Sequence, residues 1–297
     1  MLKIGYIGLG LMGKPICRNL IKAGFPLVVL NRSKPAMDEL AAQGAQVAST
    51  PAEVARQVDV VFTNLPDSPD VEKVVLGENG ILAGCHKGLI YVDNSTIKPA
   101  TARRIAEELA KLGVEALDAP VSGGEIGAIN GTLTIMVGGS AMALEIVRPV
   151  FEAMGKSITH IGGPGSGQIA KAANQIMVSA QMVAMGELLV FAQKAGADPS
   201  KVVEAIKGGS AQCWTLDVKP QRLFAGTRTP GFKAKMQAKD LNIALETARE
   251  LSIPLPATAL GSQLFNAMVA EGMGDLDNSA VIRILEQLAG IKLQEYH

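Results

Sequence analysis

From the N-terminus to about residue 163, short β-branched runs alternate with amphipathic helical stretches. The runs are LKIGYIG (2–8), PLVVLN (26–31), VDVVFTNLP (58–66), GLIYVDNS (88–95), VEALDAPV (114–121), TLTIMVGG (132–139) and SITHIGG (157–163). Most are continuous in apolar residues instead of alternating, as strands buried on both faces must be. Between them, ATARRIAEELAKLG (100–113) sets Ile105, Leu109 and Leu112 at helical spacing. Strands and helices in this order predict a parallel sheet covered by helices on both faces.

After residue 165 the alternation stops and the pattern is helical to the end. The first helix, predicted over 167–195, carries Ile169, Ile176, Met182, Met185 and Leu189 broadly on one face. At 1.5 Å per residue it is roughly 45 Å long, too long for one small lobe. It therefore joins two domains, a first over 1–163 and an all-helical second over 164–297. Further helices are predicted over 198–209, 233–251, 256–272 and 278–290, the last after an Asn/Ser cap. One residue of the long helix stands out. Lys171 lies one turn inside its start among Ala170, Ala172, Ala173, Ile176 and Met177, with Asn174 three residues on and no neighbouring carboxylate. A solvated face is the ordinary account of such a lysine.

Composition narrows the functional classes. The chain has 297 residues, with 28 Lys plus Arg against 28 Asp plus Glu. A neutral balance without a long basic cluster argues against a nucleic-acid partner. Cys17, Cys85 and Cys213 are odd in number and far apart, which suits a reducing compartment and no zinc site. The three histidines are scattered, so no metal constellation is expected. The N-terminus lacks the pattern of a signal peptide. The longest charge-free run of the long helix, Ala172–Gly186, falls short of the roughly 18 apolar residues of a membrane span. These features predict a soluble, cytoplasmic protein.

The motif GLGLMG, Gly8 to Gly13, follows the first strand directly and opens a helix, which is the context a dinucleotide-binding GxGxxG requires. Gly8 permits the tight turn, Gly10 lets backbone approach a pyrophosphate, and Gly13 allows close helix–strand packing. Leu11 and Met12 complete the loop, whose helix N-terminus offers unpaired N–H groups to phosphate. A glycine-rich turn without a ligand is the plain alternative. At the end of the second strand, where an NAD site usually has an acidic residue, stand Asn31 and Arg32. An arginine fork suits the 2′-phosphate of NADP, so NADP(H) is favoured and NAD(H) possible. A merely solvated Arg32 is the alternative. The fold class is thus α/β, a Rossmann-type doubly wound sheet followed by an all-α domain.

Four segments, in this order, resemble the β-hydroxyacid dehydrogenase family, the group of 3-hydroxyisobutyrate dehydrogenase and tartronate semialdehyde reductase. They are IGLGLMGKP (7–15), DAPVSGGEIGAINGTLTIMVGG (118–139), GPGSGQIAKAANQ (163–175) and KDLNIALETA (239–248). The resemblance spans nearly the whole chain. It implies that Lys171 is the catalytic lysine at the mouth of an interdomain cleft, with Asn174 hydrogen-bonding substrate beside it. It implies that Ser122, Gly123 and Gly124 bind the substrate carboxylate, that Leu65, Pro66, Ser95 and Thr96 line the nicotinamide side, and that Lys239 reaches the cofactor. The family commonly has Met where this chain has Asn94.

The reaction implied is NAD(P)H-dependent reduction of a small carboxylated aldehyde. The segments APVSGGEIGAINGTL and LPDSPDVEKVVLGENGI are most similar to tartronate semialdehyde reductases, which interconvert 2-hydroxy-3-oxopropionate and glycerate. NRS (31–33) is also similar to succinic and glyoxylic semialdehyde reductases, and CWTLD (213–217) to members acting on 3-hydroxyisobutyrate or serine. Family members form dimers and tetramers, so a homodimer or homotetramer is expected. A dinucleotide-binding redox sensor without turnover would explain Gly8–Gly13 but not Lys171 with Asn174.

Overall fold

The computed structural model describes residues 1–227 and 229–293. Packing divides the chain into two compact units, Met1–Lys171 and Ala172–His297.

In the first unit the strands are β1 (Ile4–Ile7), β2 (Leu27–Leu30), β3 (Gln46–Val47), β4 (Val60–Thr63), β5 (Ile90–Asp93), β6 (Glu115–Asp118), β7 (Val121–Ser122), β8 (Leu133–Gly139) and β9 (Gly155–Gly162). They form one sheet in the order β3-β2-β1-β4-β5-β6-β8-β7, with β9 paired to β8. Pairs from β3 across to β6 are parallel, and so is β8 with β9. In β1, Ile4 and Tyr6 enter one core cluster and Ile7 another, so the strand is buried on both faces. Tyr6, Phe62 and Phe151 anchor the first cluster, Tyr6 stacked on Phe62 at 5.7 Å and Phe62 edge-on to Phe151 at 6.0 Å.

The expectation of a wholly parallel sheet is corrected at β8, which runs antiparallel to both β6 and β7. Two glycines permit the approach to β6. A Cβ on Gly138 would lie 2.5 Å from an Asp118 carboxylate oxygen, and one on Gly139 would lie 2.5 Å from the Ala116 carbonyl. The predicted strand 114–121 is two strands, split at Ala119-Pro120. The edge strand β3, only two exposed residues long, has too little pattern to read from sequence.

The long helix spans Ser166–Lys194, 29 residues. Among its buried positions, Gln168, Lys171, Gln175, Ser179, Met182, Gly186 and Leu189 step by three and four along one stripe. That stripe is polar in its first half and apolar in its second. Ile169 is instead 47% exposed, which corrects its expected place on the buried face. By length and composition this helix could cross a membrane, but a buried stripe that starts with Gln, Lys and Gln belongs to a core helix.

The second unit adds the helices Pro199–Ile206, Trp214–Phe224, Ala234–Glu250, Pro256–Ala270 and Ile282–Ala289, the last preceded by a 3-10 turn over Asn278–Val281. Its core gathers Met182, Met185, Leu189, Leu223, Leu241, Phe265, Met268 and Ile282. Helix Trp214–Phe224 lies outside the predicted helices and carries Pro220 within it. Lys219 next to that proline is buried, its ammonium donating to Asp277 at 2.7 Å and to Asn278 at 3.1 Å. Asp277 also accepts the Gly231 N–H at 2.9 Å, so one carboxylate ties three segments together.

Candidate active site

The loop Gly8–Gly13 leaves β1 and enters helix Gly13–Lys22. Gly8 has φ +103°, and a Cβ there would lie 2.2 Å from the Asn64 carbonyl. A Cβ on Gly13 would lie 2.0 Å from the Gly8 carbonyl, so these two glycines let the loop close on itself. Gly10 differs, since nothing lies within 4 Å of its would-be Cβ. It is exposed together with Leu11, and Met12 is half-buried. A backbone free of side chain at Gly10, ahead of a helix without an acidic first turn, fits a dinucleotide pyrophosphate.

Asn31 turns out to brace this loop. Its Oδ1 accepts the Leu9 N–H at 3.0 Å while its Nδ2 donates to Ser33 Oγ at 2.9 Å. Arg32 beside it is exposed. Ser95 is also committed inward: its hydroxyl accepts the Leu65 N–H at 2.8 Å and its own N–H donates to Asp93 at 3.0 Å. This ties the turns after β4 and β5, leaving Pro66 exposed and Thr96 half-buried. Asn94 is buried, with Oδ1 accepting from the Tyr6 hydroxyl at 3.3 Å and Nδ2 donating to the Ala119 carbonyl at 2.7 Å. The amide ties strand ends together.

The start of the long helix is held by Asp118, at the end of β6. One carboxylate oxygen accepts the Gly165 N–H at 2.7 Å and the other the Gln168 N–H at 2.9 Å. Burial pushes this carboxyl up to about 6, against the lowering effect of those two N–H groups and with a smaller push from Asp93. Gln168 is 1% exposed; its Nε2 donates to the Ser95 carbonyl at 2.8 Å and its Oε1 accepts the Ile97 N–H at 3.1 Å. One turn on, Lys171 is 6% exposed, and its ammonium donates to the Val121 carbonyl at 2.8 Å. Val121 directly precedes Ser122-Gly123-Gly124, where Gly123 (φ +131°) and Gly124 (φ +62°) make a turn that side-chain-bearing residues resist. The structure therefore puts Lys171 against the Ser122–Gly124 segment, and not on a solvated face.

In the second unit, Asn174 donates through Nδ2 to Gln175 Oε1 at 2.8 Å. Gln175 Nε2 donates in turn to Asp240 at 2.6 Å, and Lys239 lies 3.1 Å from the other Asp240 oxygen. Asn174 and Lys239 thus share one network through two buried side chains, Gln175 and Asp240. Among the described residues no cluster of His, Cys, Asp or Glu is placed to hold a metal ion.

Sequence reasoning assigned no role to Gln168, Gln175 or Asp118. The available signal was a polar residue every third or fourth position on an otherwise apolar helix, Gln168, Lys171 and Gln175, which marks a buried polar stripe.

The model of the NAD-binding domain of 6-phosphogluconate dehydrogenase matches residues 3–162. That described as NAD-binding of NADP-dependent 3-hydroxyisobutyrate dehydrogenase matches residues 165–285. The chain is 47% identical over 292 residues to the 2-hydroxy-3-oxopropionate reductase of Escherichia coli strain K12, covering 98% of this chain and 100% of that protein. The 3-hydroxyisobutyrate dehydrogenase of Mycobacterium tuberculosis, solved with L-serine, is 32% identical with a TM-score of 0.88, covering 96% of this chain and 99% of that one. Psf3 in complex with NADP+ and 2-OPP is 28% identical with a TM-score of 0.87, covering 95% of this chain and 99% of that one. The chain belongs to the 3-hydroxyisobutyrate dehydrogenase-related (β-hydroxyacid dehydrogenase) family, and is an NAD(P)-dependent oxidoreductase acting on CH–OH groups.

Proposed function

We propose that this protein reduces 2-hydroxy-3-oxopropionate (tartronate semialdehyde) to glycerate, with NADPH favoured over NADH. The observation that carries the reading is the Lys171 ammonium 2.8 Å from the Val121 carbonyl, at the edge of the Ser122–Gly124 turn. The loop of Gly8, Gly10, Leu11, Met12 and Gly13, with Lys239 reaching in, would hold the dinucleotide, whose nicotinamide would supply the hydride. Lys171 hands a proton to the carbonyl oxygen as negative charge develops there, and takes it back in the oxidative direction. Ser122, Gly123 and Gly124 hold the substrate carboxylate with backbone N–H groups and a hydroxyl. Asn174 hydrogen-bonds the reacting oxygen or a neighbouring hydroxyl. Leu65, Pro66, Ser95 and Thr96 form the nicotinamide wall, in which Ser95 acts by fixing Leu65 and not by touching the ring.

Support for the substrate comes from the 47% identical E. coli reductase. Support for NADPH comes from Arg32, exposed after β2, and from the NADP+ complex of the similar Psf3. The second reading is a 3-hydroxyisobutyrate dehydrogenase or a succinic or glyoxylic semialdehyde reductase, favoured by the fold likeness to the M. tuberculosis dehydrogenase. A redox sensor without turnover gives no reason for a buried lysine beside a glycine turn. We assign dinucleotide binding to residues 1–163 and substrate binding and self-association to 164–297, in a cytoplasmic homodimer or homotetramer. Self-association is supported by Phe191 and Leu288, each 75% exposed beside an apolar groove floored by Val190 and Leu285.

The test is a panel of these aldehydes and hydroxyacids with both cofactors. The reading expects kcat/KM for tartronate semialdehyde with NADPH to exceed every other pair by about tenfold or more, a margin within what pocket contacts supply. Equal or higher values for succinic semialdehyde or 3-hydroxyisobutyrate would transfer the assignment to the second reading.

A further inference from the structure

Gln168 carries no role in the reading above, yet its side chain is among the most constrained in the first unit. It is 1% exposed, and both ends of its amide are spent on the backbone of one turn. Nε2 donates to the Ser95 carbonyl at 2.8 Å and Oε1 accepts the Ile97 N–H at 3.1 Å. A primary amide donates from one end and accepts at the other without carrying charge. The residue spanned, Thr96, is thereby gripped from both sides. Through Ser95 the grip extends to the Leu65 N–H, 2.8 Å from the Ser95 hydroxyl.

The other end of the clamp is equally fixed. Gln168 lies in the first turn of helix Ser166–Lys194, and Asp118 accepts the N–H groups of Gly165 and Gln168 there. A Cβ on Gly167 would lie 2.3 Å from the Asp118 carbonyl and 2.5 Å from the Met136 carbonyl, so the turn rests directly on β6 and β8. Lys171 follows at i+3 on the same buried stripe, its ammonium anchored on Val121. A continuous series of bonds therefore runs from Leu65 through Ser95 and Gln168 to the backbone turn that carries Lys171.

We propose that Gln168 is a positioning residue: it sets the distance between the Ser95–Ile97 turn, which backs the nicotinamide, and the ammonium of Lys171. The inference rests on Lys171 being the proton donor. Hydride and proton must reach neighbouring atoms of one carbonyl, and a misplacement of about 1 Å can cost on the order of a hundredfold in rate. A buried bidentate amide removes that freedom without introducing a charge.

The test uses Gln168→Met, which keeps the length and loses both bonds, and Gln168→Asn, which keeps the amide but is one methylene too short to reach both partners. Two readouts separate positioning from simple support. The first is kcat per active site, with the primary isotope effect from cofactor deuterated at the transferred position. We expect Gln168→Met to lower kcat about ten- to a hundredfold, to raise the isotope effect and to leave both KM values within about threefold, with Gln168→Asn intermediate. The second is amide hydrogen exchange of the intact protein without cofactor. Protection of the Ile97 amide should fall at least tenfold in Gln168→Met, while that of Val92 in β5 stays. Unchanged Ile97 protection, or a lowered melting temperature with normal kcat and isotope effect, would overturn the proposal. If wild type reduces none of the aldehydes, the catalytic reading fails by itself, and the exchange result still decides whether the clamp exists.

Discussion

The ammonium of Lys171 donates to the carbonyl of Val121 at 2.8 Å, one residue before the turn of Ser122, Gly123 and Gly124. Buried lysines are costly unless their charge is used or paired. Here the hydrogen bond holds the head group beside the strand-end turn, where the proposed function places the substrate carboxylate.

In the proposed function Arg32 sets cofactor choice. Loss of a charge-assisted contact to a 2′-phosphate is worth about 1.5–3 kcal/mol, so Arg32→Ala should weaken NADPH roughly ten- to more than a hundredfold and leave NADH nearly unchanged. Asn31→Asp should also disfavour NADPH, but at a structural cost, because the Asn31 Nδ2 bonds to Ser33 would be lost. Titration of both cofactors against wild type and the two variants checks this. Equal weakening of both by Arg32→Ala would mean the arginine packs on the adenine instead.

The glycines of the loop separate in kind. Gly10→Ala meets no protein atom within 4 Å, so its melting temperature should match wild type while cofactor affinity falls. Gly13→Ala sets a Cβ 2.0 Å from the Gly8 carbonyl and should lower both stability and affinity. Thermal melts with and without cofactor distinguish them, and a fall in intrinsic stability for Gly10→Ala would contradict the assignment.

Much of this architecture was legible in the chain. The glycine motif after the first strand and the change from alternating to helical pattern rest on local pattern, whereas the role expected of Lys171 rested on the family resemblance. What escaped depended on tertiary context. Pro220 lies inside a helix that also carries the buried Lys219–Asp277 pair, a long-range contact that local pattern does not reveal. Ile169 looked like core, but the core face of its helix turn is taken by Gln168 and Lys171. The antiparallel entry of β8 depends on Gly138 and Gly139 lying against Asp118 and Leu117, a pairing that no spacing announces.

Asp118 gives a pH signature. Burial raises its carboxyl from 3.8 in the open chain to about 6 in the folded protein. The folded state holds this proton more tightly, so the stabilisation is fully present below the unfolded value and is lost as pH rises through about 6. About two units correspond to on the order of 3 kcal/mol. Asp118→Asn should remove this component. Urea unfolding at pH 4.5 and 7.5 should show the stability difference between wild type and variant shifting in favour of the variant at the higher pH, and a pH-independent difference would contradict it.

Self-association should depend on the groove beside Phe191. Phe191→Glu with Leu288→Lys removes two side chains that are each 75% exposed and leaves the core beneath intact. Sedimentation at micromolar concentration should show a dimer or tetramer for wild type and a smaller species for the double variant. A monomeric wild type would contradict the assembly proposed.

The most direct test of the central claim pairs turnover with cofactor binding in Lys171→Ala. With tartronate semialdehyde and NADPH, kcat should fall at least about a hundredfold, the loss of one general acid, while the NADPH dissociation constant stays within about threefold of wild type. Lys171→Arg should restore little, because a guanidinium holds its proton too tightly to transfer it near neutral pH. A Lys171→Ala enzyme that keeps the wild-type kcat would contradict the account.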